Sequence, residues 1–155
     1  MTYVIDTSSL RVFTNFFPDI FPAFWTEFDL LIESGKIVSV REVKKEFSIQ
    51  AREHMVDWLK ENSSIFKAPN AAESKFVSDI FTVKRFQDIL QKQAILKGRP
   101  VADPFLIAYA KIHGACLVTE EKYKPNGIKI PNICEYYDIE CTNLKGLMMK
   151  EGLVF

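Results

Sequence analysis

Two short apolar runs, each ending abruptly in acids, constrain this chain more than any other feature. Thr2-Tyr3-Val4-Ile5 stops at Asp6-Thr7-Ser8-Ser9, and Ala115-Cys116-Leu117-Val118-Thr119 stops at Glu120-Glu121. Short apolar runs without polar alternation, bounded by turn residues, read as strands buried on both faces. Such strands belong to parallel sheets covered by helices. Ile37-Val38-Ser39-Val40 is a third run of this kind.

Helical patterns fill the intervals. Phe21 to Ser34 carries apolar residues at 21, 24, 25, 28, 31 and 32, one face of a helix, and Gly35 ends it. Arg41 to Phe47 begins directly after the second strand. Ala51 to Asn62 places Met55, Val56 and Leu59 on one face. Ala71 to Lys97 is a long helical stretch broken near Thr82-Val83-Lys84 and stopped by Gly98-Arg99-Pro100. Ala102 to His113 is capped by Gly114. Lys122 to Pro131 reads as polar loop, followed by a short strand around Ile139-Glu140-Cys141 and a helix from Asn143 to Gly152. Alternating strands and helices indicate an α/β fold around a mostly parallel sheet.

The 155 residues are the size of one domain, expected to span 1–155. Twenty basic and twenty acidic residues leave no net charge, which argues against a polybasic coat for nucleic acid or a membrane arm. No apolar window is long enough to cross a bilayer, and Met1 to Asp6 has no basic segment of a secretory signal. Three cysteines without a C-x-x-C pair, and only His54 and His113 besides, are poor material for zinc. Reduced thiols in a cytoplasm are the economical expectation.

In parallel sheets ligands bind beyond the carboxyl ends of the strands. Asp6 and Glu120-Glu121 follow strands directly. Glu42 and Glu46 share one face of the helix after the second strand, and Asp103 opens the helix that precedes the third. Acids distant in sequence thus converge on one edge. Such a cluster is costly unless compensated, and the natural counter-ion is a hard cation, Mg²⁺ or Mn²⁺, held by oxygen. Each acid also has a plainer account. Asp6 and Asp103-Pro104 suit helix starts, Glu42 and Glu46 suit a solvated face among Arg41, Lys44 and Lys45, and Glu120 and Glu121 suit an exposed turn.

The same residues resemble the PIN-domain superfamily of metal-dependent ribonucleases, over nearly the whole chain. Val4-Ile5-Asp6-Thr7-Ser8-Ser9-Leu10 is similar to the family's opening IDTSxL, with Asp6 a metal ligand and Ser8 a neighbouring hydroxyl. Val43-Lys44-Lys45-Glu46-Phe47 is similar to V-x-x-E-L, which places the second acid at Glu46, with Glu42 one turn earlier as the alternative. Ala102-Asp103-Pro104-Phe105-Leu106-Ile107-Ala108-Tyr109-Ala110 resembles aDplIaAyA and gives Asp103. Leu117-Val118-Thr119-Glu120-Glu121 resembles LVTxD, with Glu121 where the family usually has Asp and Glu120 beside it. Lys129-Ile130-Pro131-Asn132-Ile133-Cys134 resembles a kIPnvC segment of a bacterial PIN-like subfamily.

The resemblance implies a three-layer α/β/α sandwich. It also implies an endoribonuclease whose Asp6, Glu46, Asp103 and Glu121 hold Mg²⁺ or Mn²⁺, and an antitoxin as protein partner. A homodimer is open, as is a degenerate PIN-like module that binds protein and cuts nothing. Phosphatases that phosphorylate an N-terminal Asp fit less well, because Ser8 stands where their second Asp belongs. Elsewhere, Phe16-Phe17-Pro18 is a candidate partner surface within a largely core run of aromatics. Lys84, Arg85, Lys92, Lys97 and Arg99 are candidates for a phosphate path, with a solvated face as the default.

Overall fold

The computed structural model describes residues 1–49, 51–87 and 101–155. Among these, the strands are β1 (Tyr3–Ile5), β2 (Ile37–Val40), β3 (Phe66–Lys67), β4 (Cys116–Val118) and β5 (Cys141–Thr142). The helices are α1 (Thr7–Phe13), α2 (Pro22–Glu33), α3 (Arg41–Ser48), α4 (Glu53–Glu61), α5 (Ala71–Thr82), α6 (Asp103–His113), α7 (Ile130–Tyr136) and α8 (Leu144–Lys150). The strands form one parallel sheet in the order β3-β2-β1-β4-β5. Every residue of β1, β2 and β4 is buried. Successive side chains point to opposite faces, so both faces are covered. The molecule is an α/β sandwich.

The strand order reverses beside β1. The next strand in sequence, β2, lies on one side of it and β4 on the other. Between their carboxyl ends lies the crevice where parallel sheets bind ligands. Buried Ser39 donates to the Ile5 carbonyl at 2.6 Å, which fixes β2 against the end of β1. α6 packs on β1, β2 and β4 with Leu106 and Ile107 fully buried.

The aromatic run is mostly core. Phe13 meets Phe24, Trp25, Phe28 and Trp58 edge to face with centroids 4.8–6.1 Å apart, joining α1, α2 and α4. Phe16 stacks on Phe24, while Phe17, Ile20 and Phe21 remain exposed.

Some expectations shift. Pro131 does not end a loop but sits in the first turn of α7, where its missing N–H costs nothing. The last strand is Cys141–Thr142 rather than one centred on Glu140, because Asp138 turns the chain with φ 56° just before it. β3, with two residues, carries no strand pattern in the sequence. The break expected near Thr82 is present: α5 ends there and Val83 is extended. Residues 84–87 are helical again, with Lys84 and Arg85 exposed; the stretch from residue 88 to Lys97, its Gly98-Arg99-Pro100 stop, and Lys92, Lys97 and Arg99 lie outside the described residues. No described helix is long and apolar enough to cross a membrane.

Candidate functional site

Asp6 ends β1 and caps α1. Its Oδ1 accepts from the Thr7 amide at 2.7 Å, while Oδ2 accepts from the Ser8 hydroxyl at 2.7 Å and the Thr119 hydroxyl at 2.9 Å. Extended backbone at Asp6 and helical backbone from Thr7 turn the side chain back over the strand ends. Burial pushes the carboxyl above the usual carboxylate range; bonds from Ser8 and Thr119 oppose the rise, and the charge on Glu121 adds to it. Its partners are hydroxyls and an amide, with no cation among the described residues.

Glu121 lies two residues past Thr119, whose hydroxyl also accepts from the Glu121 amide at 3.2 Å. Its Oε2 accepts from the Ile130 amide at 2.9 Å, at the start of α7. On the other side of Asp6, the Thr7 hydroxyl donates to Glu46 Oε1 at 3.3 Å, and the Ala102 amide donates to Glu46 Oε2 at 2.7 Å. Asp103 is the next residue, half-buried in the first turn of α6. One continuous row therefore runs from Glu121 through Thr119, Asp6, Thr7 and Glu46 to the start of α6.

The two acids of α3 separate. Glu46 joins this row, whereas Glu42 Oε1 accepts from the Arg41 guanidinium at 3.1 and 3.2 Å. The other Glu42 oxygen is buried without a hydrogen-bond partner among the described residues. Glu120 also leaves the row. It accepts from Ser9 Oγ at 3.0 Å and the Leu144 amide at 3.1 Å, tying α1 to α8. Ser8, besides bonding Asp6, accepts from the Glu120 amide at 3.0 Å. Sequence reasoning gave no role to Thr119. A hydroxyl at the end of an otherwise apolar buried strand was the available signal.

His113 lies 3.5 Å from buried Glu73, and His54 Nε2 is buried without a hydrogen-bond partner among the described residues, so neither histidine joins the row. The cysteines are free thiols, Cys116 and Cys134 buried and Cys141 half-buried.

The donor set is all oxygen, which suits a hard divalent cation and not a soft one. Among the described residues Asp6 is buried under the field of Glu121 with no positive neighbour, a position that a cation would relieve. Among the described residues no three His, Cys, Asp or Glu side chains stand close enough together to share one ion, so coordination would require the carboxylates to draw in.

The architecture is thus a parallel α/β sandwich with carboxylates along its switch-point edge. The chain belongs to the family described as a domain of unknown function, DUF4411, whose model matches residues 3–155. No curated protein matches the sequence. Among solved structures it is similar to PAE2754 from Pyrobaculum aerophilum, at 15% identity and a TM-score of 0.49, over 97% of this chain and 88% of that one. It is also similar to VapBC2 from Rickettsia felis bound to a DNA fragment from their promoter, at 17% identity and a TM-score of 0.49, over 92% of this chain and 98% of that one.

Proposed function

We propose that this chain is a single-domain, PIN-like endoribonuclease dependent on Mg²⁺ or Mn²⁺, and the toxin partner of a small antitoxin. The observation that carries the reading is the unbroken row of contacts from Glu121 to Ala102, with Asp6 at its centre and Asp103 at its end. Asp6, Glu46, Asp103 and Glu121 would hold the cation. When bound, it lowers the pKa of a water and offsets charge on the phosphodiester. The chain's own part is positioning. Ser8, Thr119 and the Thr7 amide fix the Asp6 carboxylate in one orientation, Thr7 and Ala102 fix Glu46, and the Ile130 amide fixes Glu121. The antitoxin would cover this row or the exposed apolar surface of Phe17, Ile20 and Phe21.

Incubation with cellular RNA, with and without Mn²⁺, followed by mapping of the ends, tests the activity. Metal-dependent cuts at defined positions are expected, and intact RNA with folded, Mn²⁺-treated protein would refute it. Expression alone should slow a bacterial host, with relief from the neighbouring gene's product. A second reading, an inactive PIN-like module, is favoured by the separation of the carboxylates. It predicts no rise in melting temperature with Mn²⁺.

A further inference from the structure

Arg11, Thr14, Asn15, Phe47 and Arg52 line a cavity of about 180 Å³ beside α1 and α3. Neither arginine has an ion-pair or hydrogen-bond partner among the described residues, and no side-chain hydrogen bond occupies Thr14 or Asn15 there. Arg11 and Arg52 are both exposed and both line this cavity, so they place positive charge at its rim, where an anion is attracted. A hydroxyl and an amide beside them add neutral donors. Planar forks flanked by neutral donors match the oxygens of a phosphodiester.

The cavity adjoins the acidic row through two elements. Arg11 lies one turn along α1 from Thr7, about 6 Å away on the same face. Phe47 directly follows Glu46, and Thr7 and Glu46 are joined by a hydrogen bond. The chain has no net charge to attract a polyanion, and the acidic row repels one. Attraction has to come from a local basic site.

We propose that this cavity binds a backbone phosphate of single-stranded RNA, holding the strand beside the acidic row. The proposal deepens the nuclease reading and rests on it for the choice of RNA. An RNA strand engages both places at once, whereas an acidic peptide has no use for the metal-binding row.

The test uses the full chain and a fluorescent single-stranded RNA of about 12 nucleotides, titrated by anisotropy in EDTA at several salt concentrations. For the R11Q/R52Q double variant, Kd should rise by about tenfold or more, and the salt slope should shrink by about 0.7 for one lost phosphate contact. R11K/R52K should recover the slope but not the full affinity, because charge returns without the planar fork. With Mn²⁺, the double variant should raise KM about tenfold and leave kcat within about twofold. Unchanged affinity and salt slope in R11Q/R52Q would overturn the cavity's role while RNA cleavage by the wild type still stood. Arginine-dependent RNA binding by a wild type that cuts nothing would sink the nuclease reading alone. A poly-glutamate peptide that binds more tightly than RNA, and loses that binding in R11Q/R52Q, would assign the cavity to a protein partner and overturn the proposal.

Discussion

The two ends of β1 treat a carboxylate in opposite ways. At the amino end, Glu151 accepts from Lys36 Nζ and the Tyr3 hydroxyl, both at 2.8 Å. The Lys36 bond and then the Tyr3 bond hold its carboxyl below the usual range. At the carboxyl end, Asp6 is more deeply buried, has only dipoles for partners, and is pushed the other way. Lys36–Glu151 is an ordinary stabilising pair, worth about 0.2–1 kcal/mol because Lys36 is substantially exposed. Asp6 as an ionised side chain opposes folding. An acid retained at a cost to stability is where function is to be sought.

The largest expected effect is that of Asp6→Asn. RNA cleavage should fall by about a hundredfold or more, and the melting-temperature gain from Mn²⁺ should shrink. Without metal, the variant should be as stable as wild type or more so at neutral pH. Because the folded pKa of Asp6 is raised, its contribution is present below the ordinary value of about 3.9 and lost as pH rises through the folded value. The advantage of Asn should therefore vanish below about pH 4. A variant that unfolds readily yet cuts RNA normally would reduce Asp6 to a helix cap.

Glu46→Gln should cost nearly as much activity as Asp6→Asn, whereas Glu42→Gln should stay within about threefold of wild type. Reversed kinetics would move the second ligand to Glu42, whose orphaned buried oxygen would then have its use. Glu151→Gln sharpens the comparison from the other end. It should lower the unfolding free energy from urea titration at pH 7 by that modest amount and leave cleavage unchanged. Since the Glu151 pKa is lowered, this stabilisation is present above about pH 4.3 and lost as pH falls through the folded value. Cys116 is fully buried in β4, and burial pushes its thiol up to about 11. Stability should decline between about pH 8.5 and that value, and a thiol reagent should reach Cys116 only on unfolding.

β1, β2 and β4 were legible because a strand buried on both faces has to be uninterruptedly apolar. β3 and β5 were not. Two residues at a sheet edge carry almost no pattern, and pairing with Ser39-Val40 or Leu117-Val118 defines them. Asp6 and Glu121 stood out as acids at strand ends. Glu42 and Glu46 occupy one helix face, so periodicity could not separate them; the motif resemblance favoured Glu46, and in the fold the bonds from Thr7 and Ala102 fall on Glu46. Arg11 and Arg52 were invisible: they are brought to one cavity by packing and share no motif.

The bond from Leu144 to Glu120, and from Ser9 to Glu120, has a consequence for the order of synthesis. On the ribosome β1 emerges long before β4, and its partner on that side is still more than a hundred residues away at Cys116. At roughly 5–20 residues per second, Asp6 waits several seconds for the Thr119 hydroxyl. The loop bearing Glu120 and Glu121 is pinned only once Leu144 has left the exit tunnel. A nascent chain thus carries Asp6 and Glu46 without the loop that completes their edge, and whatever chemistry the finished edge performs is withheld from the translating ribosome until Leu144 has emerged.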